Sequence, residues 1–234
     1  MSLGRLTWPE VAESQQPYLA LPIGSCEQHG PHLPLDTDTR IANTLAEQLA
    51  RRRPDVVVAP ALAYGASGEH AGFPGTLSIG QAALELVLVE LGRSADAFRG
   101  LVIVNGHGGN VDTVARAVRQ LLDEGRRATA WSPRVPGGDA HAGRTETSLL
   151  LALAPAEVRL EVAAAGPPTP LPELLGALRS RGVAAVSPNG VLGDPAGATA
   201  DEGQSILAAL ADDLIAHVHA WINGFDHADR LRPR

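Results

Sequence analysis

Two short stretches of the chain are wholly apolar, and they constrain the fold more than any other feature. Residues 18–23 read Tyr-Leu-Ala-Leu-Pro-Ile, and residues 101–104 read Leu-Val-Ile-Val. A strand with one face in water alternates apolar and polar side chains, whereas a strand covered on both faces has no polar side. Both runs therefore predict internal strands of a mostly parallel sheet with helices on both faces.

Strand and helix patterns alternate along the rest of the chain. Residues 56–59 and 128–131 predict two more strands, and 183–186 is a further possible strand. Ser78 with Gln81, and Thr199 with Glu202, have the spacing of capping boxes. Helices are expected over residues 39–53, 78–97, 111–124, 173–181 and 199 to about 221, with another that follows residue 141 and ends near 154. This alternation predicts a three-layer α/β fold, with residues 1–234 forming a single domain.

Charge and cysteine content narrow the class of protein. The net charge of −7 disfavours a nucleic-acid backbone or an anionic membrane as a partner. The single cysteine cannot form an internal disulfide, and the N-terminal residues lack the apolar core of a signal peptide. We therefore expect a cytoplasmic protein, with no stretch long enough to span a bilayer.

Side chains able to bind a metal are concentrated in residues 24–38, directly after the first predicted strand. Glu27 and His29 are two residues apart, so an extended backbone would point both in the same direction. Glycine and proline in the following turn could bring Asp38 back over this pair. A helix start near Asp38 would favour its ionised form. A metal or catalytic site is predicted here, and a solvated polar loop is the alternative.

Two more clusters follow later strands. His107 lies in the glycine-rich turn 105–110, and His141 and Glu146 follow the fourth predicted strand. The carboxyl ends of parallel strands meet at one sheet edge, so these side chains should gather with Glu27, His29 and Asp38. Two divalent cations need about this ligand set, with one bridging carboxylate, which we assign to Asp38. Alternatively, His107 is a structural turn histidine and Glu146 only complements a helix N-terminus.

The glycine-rich loop 64–76 carries Glu69 and His70. These two residues either contact a substrate or form a surface pair. Cys26 is a less favoured nucleophile, because the adjacent Glu27 disfavours a thiolate.

Taken together, the motifs resemble the creatininase family of metal-dependent amidohydrolases. The matching stretches are residues 24–38, 67–76, 105–110 and 141–148. Residues 182–199, with 36–42 and 64–70, are similar to the branch of the family that matures mycofactocin. The resemblance to that branch implies a peptidase that removes the C-terminal Val-Tyr dipeptide from the modified precursor peptide.

The resemblance implies metal ligands at Glu27, His29, Asp38 and His107, and two divalent ions per subunit. Creatininase proper carries a glutamate ligand two residues after the histidine that matches His107, where this chain has Gly109. A ligand is therefore either missing or supplied by another part of the chain, and Glu146 is the candidate to replace it. Zinc, iron(II) and manganese all fit nitrogen and oxygen ligands.

The expected reaction is hydrolysis of a peptide bond by water that the two metals activate. His141 would stabilise the oxyanion or pass a proton to the leaving amine, and Glu146 is the other expected catalytic residue. The expected substrate contacts are His70, Gly108, Gly109 and Asn110. The resemblance also implies a homo-oligomer.

Two rival functions stay open. One is hydrolysis of creatinine or a formamide, which the scattered positions of Trp8, Trp131 and Trp221 disfavour because they form no clear pair to cover a small flat substrate. The other is a non-catalytic protein whose glycine-rich loops bind an anionic ligand.

Overall fold

Four parallel strands form one sheet at the centre of the structure, a computed structural model that describes residues 1–14 and 16–230, without the side chains of residues 171, 179 and 225–230. The strand order is β2-β1-β3-β4, so β1 and β3 are internal. Registers such as Ala20 opposite Val102, and Ile103 opposite Ala130, align the carboxyl ends of the strands along one edge. The strands are β1 (Tyr18–Ile23), β2 (Val56–Val58), β3 (Leu101–Asn105) and β4 (Ala128–Trp131).

Helices follow the strands along the chain. Their bounds are α1 (Trp8–Glu13), α2 (Thr37–Arg52), α3 (Gly80–Arg93), α4 (Val111–Asp123), α5 (Arg144–Leu153), α6 (Leu171–Arg181) and α7 (Ala200–Arg230). Short 3₁₀ turns at Gly68–His70 and Gly108–Asn110 carry residues of the predicted site.

The two faces of the sheet are covered by different helices. On one face Ala20 and Val102 pack with α2, α5 and α7, whereas on the other Leu21 and Ile103 pack with α3 and α4. Burial of one leucine such as Leu45 stabilises the fold by about 1.5–3 kcal/mol. The three-layer α/β architecture predicted from the apolar runs is therefore confirmed, with β1 and β3 internal and parallel.

One predicted strand is wrong. Residues Val183–Ala185 form a 3₁₀ turn, in which the amides of Val186 and Ser187 bond to the Val183 carbonyl at 3.0 and 2.8 Å. Because this segment satisfies its backbone locally, it makes no ladder with the sheet.

The capping boxes are formed only in part. The Ser78 hydroxyl accepts bonds from the amides of Ser67 at 2.9 Å and Gly80 at 3.2 Å, and α3 begins at Gly80 rather than Ser78. At α7 the Thr199 hydroxyl accepts from the Glu202 amide at 3.2 Å, as expected, but the Glu202 carboxylate binds Arg144 at 2.8 Å. The box predicted for Ser78 and Gln81 is therefore absent, and the box at Thr199 keeps one of its two bonds.

Helix α7 is longer than predicted, and residues 200–224 have the length and hydropathy of a membrane span. The expectation that no stretch of the chain is long enough to span a bilayer was therefore wrong. The apolar side of the helix, including Leu210, Leu214 and Val218, is buried in the core, and the exposed Asp212 and Asp213 lie mid-helix. This amphipathic pattern is typical of a helix that covers a sheet.

Candidate metal centre

The structure brings together the four side chains that the family resemblance gives as metal ligands. Glu27 and His29 follow β1, Asp38 lies in the first turn of α2, and His107 follows β3. His29 Nε2 lies 3.1 Å from Asp38 Oδ1, His107 Nδ1 lies 3.1 Å from Asp38 Oδ2, and His107 Nε2 lies 3.2 Å from Glu27 Oε2. All four are at most 5% exposed. They meet because β1 and β3 are neighbours at the centre of the sheet.

Glu146 reaches the same cluster from the first turn of α5. Its Oε2 lies 3.9 Å from His29 Nε2 and also accepts a hydrogen bond from the Ala142 amide at 2.6 Å. The side chain therefore satisfies a backbone group at the helix start and faces the predicted metal ligands. Glu146 therefore makes the contacts expected of both alternatives, a metal ligand and a residue that complements a helix N-terminus.

The ligand atoms fall into two triads that share one carboxylate. One triad is Glu27, Asp38 and His107, and the other is His29, Asp38 and Glu146; within each, the ligand atoms lie within 4.8 Å of one another. Asp38 is common to both, as a carboxylate that bridges two ions would be. Glu27, His29 and His141 form a third such group.

Buried atoms without hydrogen bonds show that this cluster fits a metal. Within the described residues, both carboxylate oxygens of Glu27 and the Nε2 of His107 are buried and make no hydrogen bond of regular geometry, although histidine nitrogens lie 3.2 and 3.3 Å from the two Glu27 oxygens. A buried polar atom without a hydrogen bond is destabilising, and native proteins rarely contain one. A divalent ion would satisfy these atoms, so the donor set fits the metal that the family resemblance implies.

The charges of the cluster also favour a bound cation. Burial and Asp38 oppose ionisation of Glu27, but His107 and His29 outweigh them and hold the pKa of Glu27 at about 2. Burial opposes protonation of His29, yet the Asp38, Glu146 and Glu27 carboxylates raise its pKa to about 10. The buried carboxylates of the cluster are therefore stabilised by nearby positive charge. Protons on histidine supply that charge in the metal-free protein, and bound cations would replace them.

Gln28 organises the two other histidines of the site. Its side-chain amide donates to His70 Nδ1 at 2.8 Å and to the Gly190 carbonyl at 3.1 Å, while its backbone carbonyl lies 2.9 Å from His141 Nε2. The Gln28 side-chain nitrogen also lies 3.1 Å from His141 Nε2, so this ring nitrogen faces both a donor and an acceptor. The shorter contact, to the carbonyl, favours a proton on Nε2 and a lone pair on Nδ1 of His141. His70 accepts at Nδ1, so its proton is on Nε2, which lies 3.3 Å from Glu27 Oε1. Gln28 was not among the predicted site residues, although its place between Glu27 and His29 was a signal.

A cavity of about 820 Å³ opens over the cluster. His70, Gly108 and Gly109 line it, as expected of substrate contacts, and so does His141. His70 is buried, which rules out the alternative of a surface pair with Glu69.

Asn110 differs from its expected role as a substrate contact. It is fully buried, and its side chain bonds to the Ala66 amide at 2.9 Å, the Gly24 carbonyl at 3.0 Å and Asn105 Oδ1 at 3.2 Å. These bonds use its donor and acceptor groups to tie three loops together. Asn110 thus positions the turn that carries His107.

Glu69 contributes more than its loop position indicated. Its Oε1 lies 3.3 Å from His107 Nε2, and its side chain is 33% exposed at the cavity wall. The sequence left it as either a substrate contact or one half of a surface pair with His70. No local pattern in the sequence relates Glu69 to His107, because the contact depends on how the loop after β2 crosses the sheet edge.

The family model described as creatinine amidohydrolase matches residues 4–218. The chain belongs to the creatininase family. A mycofactocin precursor peptide peptidase of Mycobacterium tuberculosis is 55% identical over 220 residues, which cover 89% of this chain and 87% of the relative. A creatinine amidohydrolase of Pseudomonas putida is 32% identical over 206 residues, covering 73% of this chain and 78% of that protein.

Solved creatininase structures share the fold. One named as the manganese form has a TM-score of 0.77 at 27% identity, covering 94% of this chain and 97% of the other. A zinc–zinc form of a creatininase mutant has a TM-score of 0.76 at 26% identity, with the same coverage. Creatininase-family neighbours are thus named with manganese and with zinc, and this member has buried clusters of the matching donor types.

Proposed function

We propose that this creatininase-family protein is a metal-dependent peptidase that removes the C-terminal Val-Tyr dipeptide from the modified mycofactocin precursor peptide. The observation that carries the proposal is the 55% identity, over most of both chains, to a mycofactocin precursor peptide peptidase. The buried histidine and carboxylate cluster beneath a cavity of about 820 Å³ supports it, because metal-dependent peptide hydrolysis needs metal ligands beside a space that can hold a peptide.

The site would hold two divalent ions per subunit. Glu27, Asp38 and His107 would bind one ion, and His29, Asp38 and Glu146 the other. Zinc, iron(II) and manganese each fit these ligands. When bound, such ions supply an activated water and polarise the scissile carbonyl.

The protein's own groups would carry the proton and position the substrate. Burial and the nearby His29 and His70 hold the pKa of His141 well below its usual range, so its imidazole is neutral. Its Nδ1 lone pair faces the cluster, where it can take the proton that attacking water loses and give it to the leaving amine. His70 presents its Nε2–H to the same space, where a developing oxyanion would accept a hydrogen bond. The amides of Gly108 and Gly109 at the cavity wall can hold the peptide backbone.

Creatinine hydrolysis is less well supported. None of the described residues that line the cavity is a tryptophan. Trp8 is 81% exposed, Trp131 is in the core, and Trp221 packs on Tyr18 with ring centroids 5.4 Å apart. A small flat ring would therefore lack the aromatic cover that would hold it.

Incubation with a synthetic peptide ending in Val-Tyr, followed by mass spectrometry, tests the proposal. We expect release of Val-Tyr only from metal-loaded protein, with creatinine and N-alkylformamides unchanged. If protein with about two metals per chain releases no Val-Tyr and hydrolyses neither creatinine nor the formamides, the peptidase proposal is rejected. Hydrolysis of creatinine alone would favour the rival amidohydrolase, and protein that binds peptide without metal or turnover would favour a binding protein.

We also propose, by family resemblance, that the protein is a cytoplasmic homo-oligomer. Light scattering of the purified protein should give a mass that is a multiple of 24.3 kDa. A mass of one chain would reject the oligomer.

A further inference from the structure

The cavity has two chemically different walls. The histidine and carboxylate cluster forms one side, and α6 with the turn after it forms another. That second wall presents Leu175, Leu178 and Val183 to the cavity. A substrate held there would bury apolar side chains against these residues, since apolar contact is the main source of affinity on such a surface.

Arg181 is the exception on this wall. It is the last residue of α6, it is exposed, and it lines the cavity. Of the arginine side chains that the structure describes, it is the one that lines this cavity. The carboxylates on the walls are Asp38, Glu69, Asp112 and Glu146, and the histidines on the walls belong to the cluster and to its Gln28 network.

Arg181 also lacks a partner. Within the described part of the chain it makes no hydrogen bond or ion pair, whereas Arg40, for example, binds both carboxylate oxygens of Glu157 at 2.8 Å. A guanidinium is built for two parallel hydrogen bonds to a carboxylate. Its cationic position at the C-terminal end of α6 suits the helix dipole, but this effect does not require the cavity.

The backbone ties Arg181 to the site. The next residue, Gly182, passes so close to the loop after β2 that a Cβ there would lie 2.8 Å from the Glu69 carbonyl oxygen. The same loop provides His70 and Glu69. Arg181 is therefore held beside residues that face the metal cluster.

We infer that Arg181 binds the C-terminal α-carboxylate of the peptide substrate, and that the apolar wall of Leu175, Leu178 and Val183 receives the side chains of the departing C-terminal residues. The inference rests on the proposed peptidase function and makes it an exopeptidase that measures from the free C-terminus. It predicts a specificity that the metal cluster alone cannot give, because a cluster of this kind acts on any peptide bond that reaches it.

Matched peptides and variants test this role. One peptide ends in Val-Tyr with a free carboxylate and the other ends in Val-Tyr amide, so only the terminal charge differs. The wild type is compared with Arg181→Gln, Arg181→Lys and Arg119→Gln, in which the control removes an exposed guanidinium from α4 outside the cavity.

We expect the wild type to prefer the acid over the amide by about 10- to 100-fold in kcat/KM, as expected for a charge-assisted bidentate contact. Arg181→Gln should lower cleavage of the acid to the level of the amide, mostly through KM, and leave the amide and the metal content unchanged. Arg181→Lys should keep part of the preference, and Arg119→Gln all of it.

Equal cleavage of acid and amide by the wild type, or an equal loss on both in Arg181→Gln, would overturn the inference. Peptide binding to metal-free protein, followed by fluorescence anisotropy, separates this outcome from failure of the proposed function. If the wild type cleaves neither peptide, the peptidase proposal fails. If the wild type then binds the acid peptide more tightly than the amide peptide, and Arg181→Gln abolishes this difference, the carboxylate site is still supported. Equal binding of the two peptides by the wild type would reject it.

Discussion

Glu69 occupies the space that Gly109 leaves open beside His107. A Cβ on residue 109 would overlap both Glu69 Oε1 and His107 Nε2, and it would lie 2.6 Å from the Ala66 carbonyl oxygen. The position where creatininase proper is expected to carry a glutamate thus holds a carboxylate from a different loop. The absence of a side chain at Gly109 is therefore what allows the Glu69 carboxylate to approach His107.

Replacement of Gly109 by alanine should therefore disturb the site. The new methyl group must displace Glu69, the His107 ring and the backbone at Ala66 together, so we expect metal affinity to fall about 10- to 100-fold, as it does when groups that orient ligands are lost. Metal analysis after dialysis measures the effect. Gly108→Ala is the matched control, because a Cβ at residue 108 meets nothing within 4 Å. Equal metal content in the two variants would contradict this account.

Glu146→Gln should remove one ligand of the second triad. We expect metal content to fall from about two ions per chain toward one, and turnover to fall by more than about 100-fold. The glutamine oxygen can still accept the Ala142 amide, so thermal unfolding should change little. Glu161→Gln, at an exposed position, serves as the control. Full metal content with near-normal turnover would leave Glu146 as a helix-start residue only.

Metal affinity should rise with pH. The pKa of His29 is raised to about 10, so the metal-free protein keeps this proton at neutral pH and a cation must displace it. Burial opposes protonation of His107, but Glu27 and Asp38 raise its pKa well above the usual value, so it also keeps a proton at neutral pH. Burial and the charge of Asp38 raise the pKa of Glu146 to about 7, so it adds a further competing proton below pH 7. Each displaced proton changes the apparent affinity by up to about tenfold per pH unit.

Competition with a chelator at pH 6, 7 and 8 measures this slope. We expect it to be steeper between pH 6 and 7 than between pH 7 and 8. Calorimetry in buffers of different ionisation enthalpy counts the released protons directly. An affinity that does not change over this range would show that the cluster is already deprotonated without metal.

Gln28→Leu should lower kcat more than metal content. Loss of the amide donor frees His70 to exchange tautomers, so its Nε2–H no longer points reliably to the cluster. We expect about a 10- to 100-fold loss of kcat. In the metal-free variant, nitrogen NMR should show His70 as a mixture of tautomers. Gln120→Leu on α4, outside the cavity, is the control. An unchanged His70 spectrum would contradict this role.

Cys26→Ser should keep most activity. Its thiol is directed to the Gly75 carbonyl at 3.6 Å and does not line the described cavity wall. The proposed nucleophile is water, so loss of the thiol removes no reacting group. Peptide cleavage with matched metal content is the measurement. Loss of cleavage with full metal would revive a thiol mechanism.

Much of the site was predictable because it depends on strand ends. The runs at β1 and β3 are wholly apolar, which requires cover on both faces, and their carboxyl ends then bring Glu27, His29 and His107 to one edge. Asp38 follows because α2 starts directly after the turn. The family resemblance added the roles of these residues.

Patterns in the sequence were enough to predict the sheet, the layers and the strand-end cluster, since periodicity and burial act over a few neighbouring residues. Only tertiary packing produces the contact of Glu69 with His107, the bonds of Gln28 to His70 and His141, and the place of Arg181 in the cavity wall. It also pairs the Glu202 carboxylate with Arg144. These contacts join residues far apart in the chain, and loop paths depend on packing between elements, which no local pattern of side chains records.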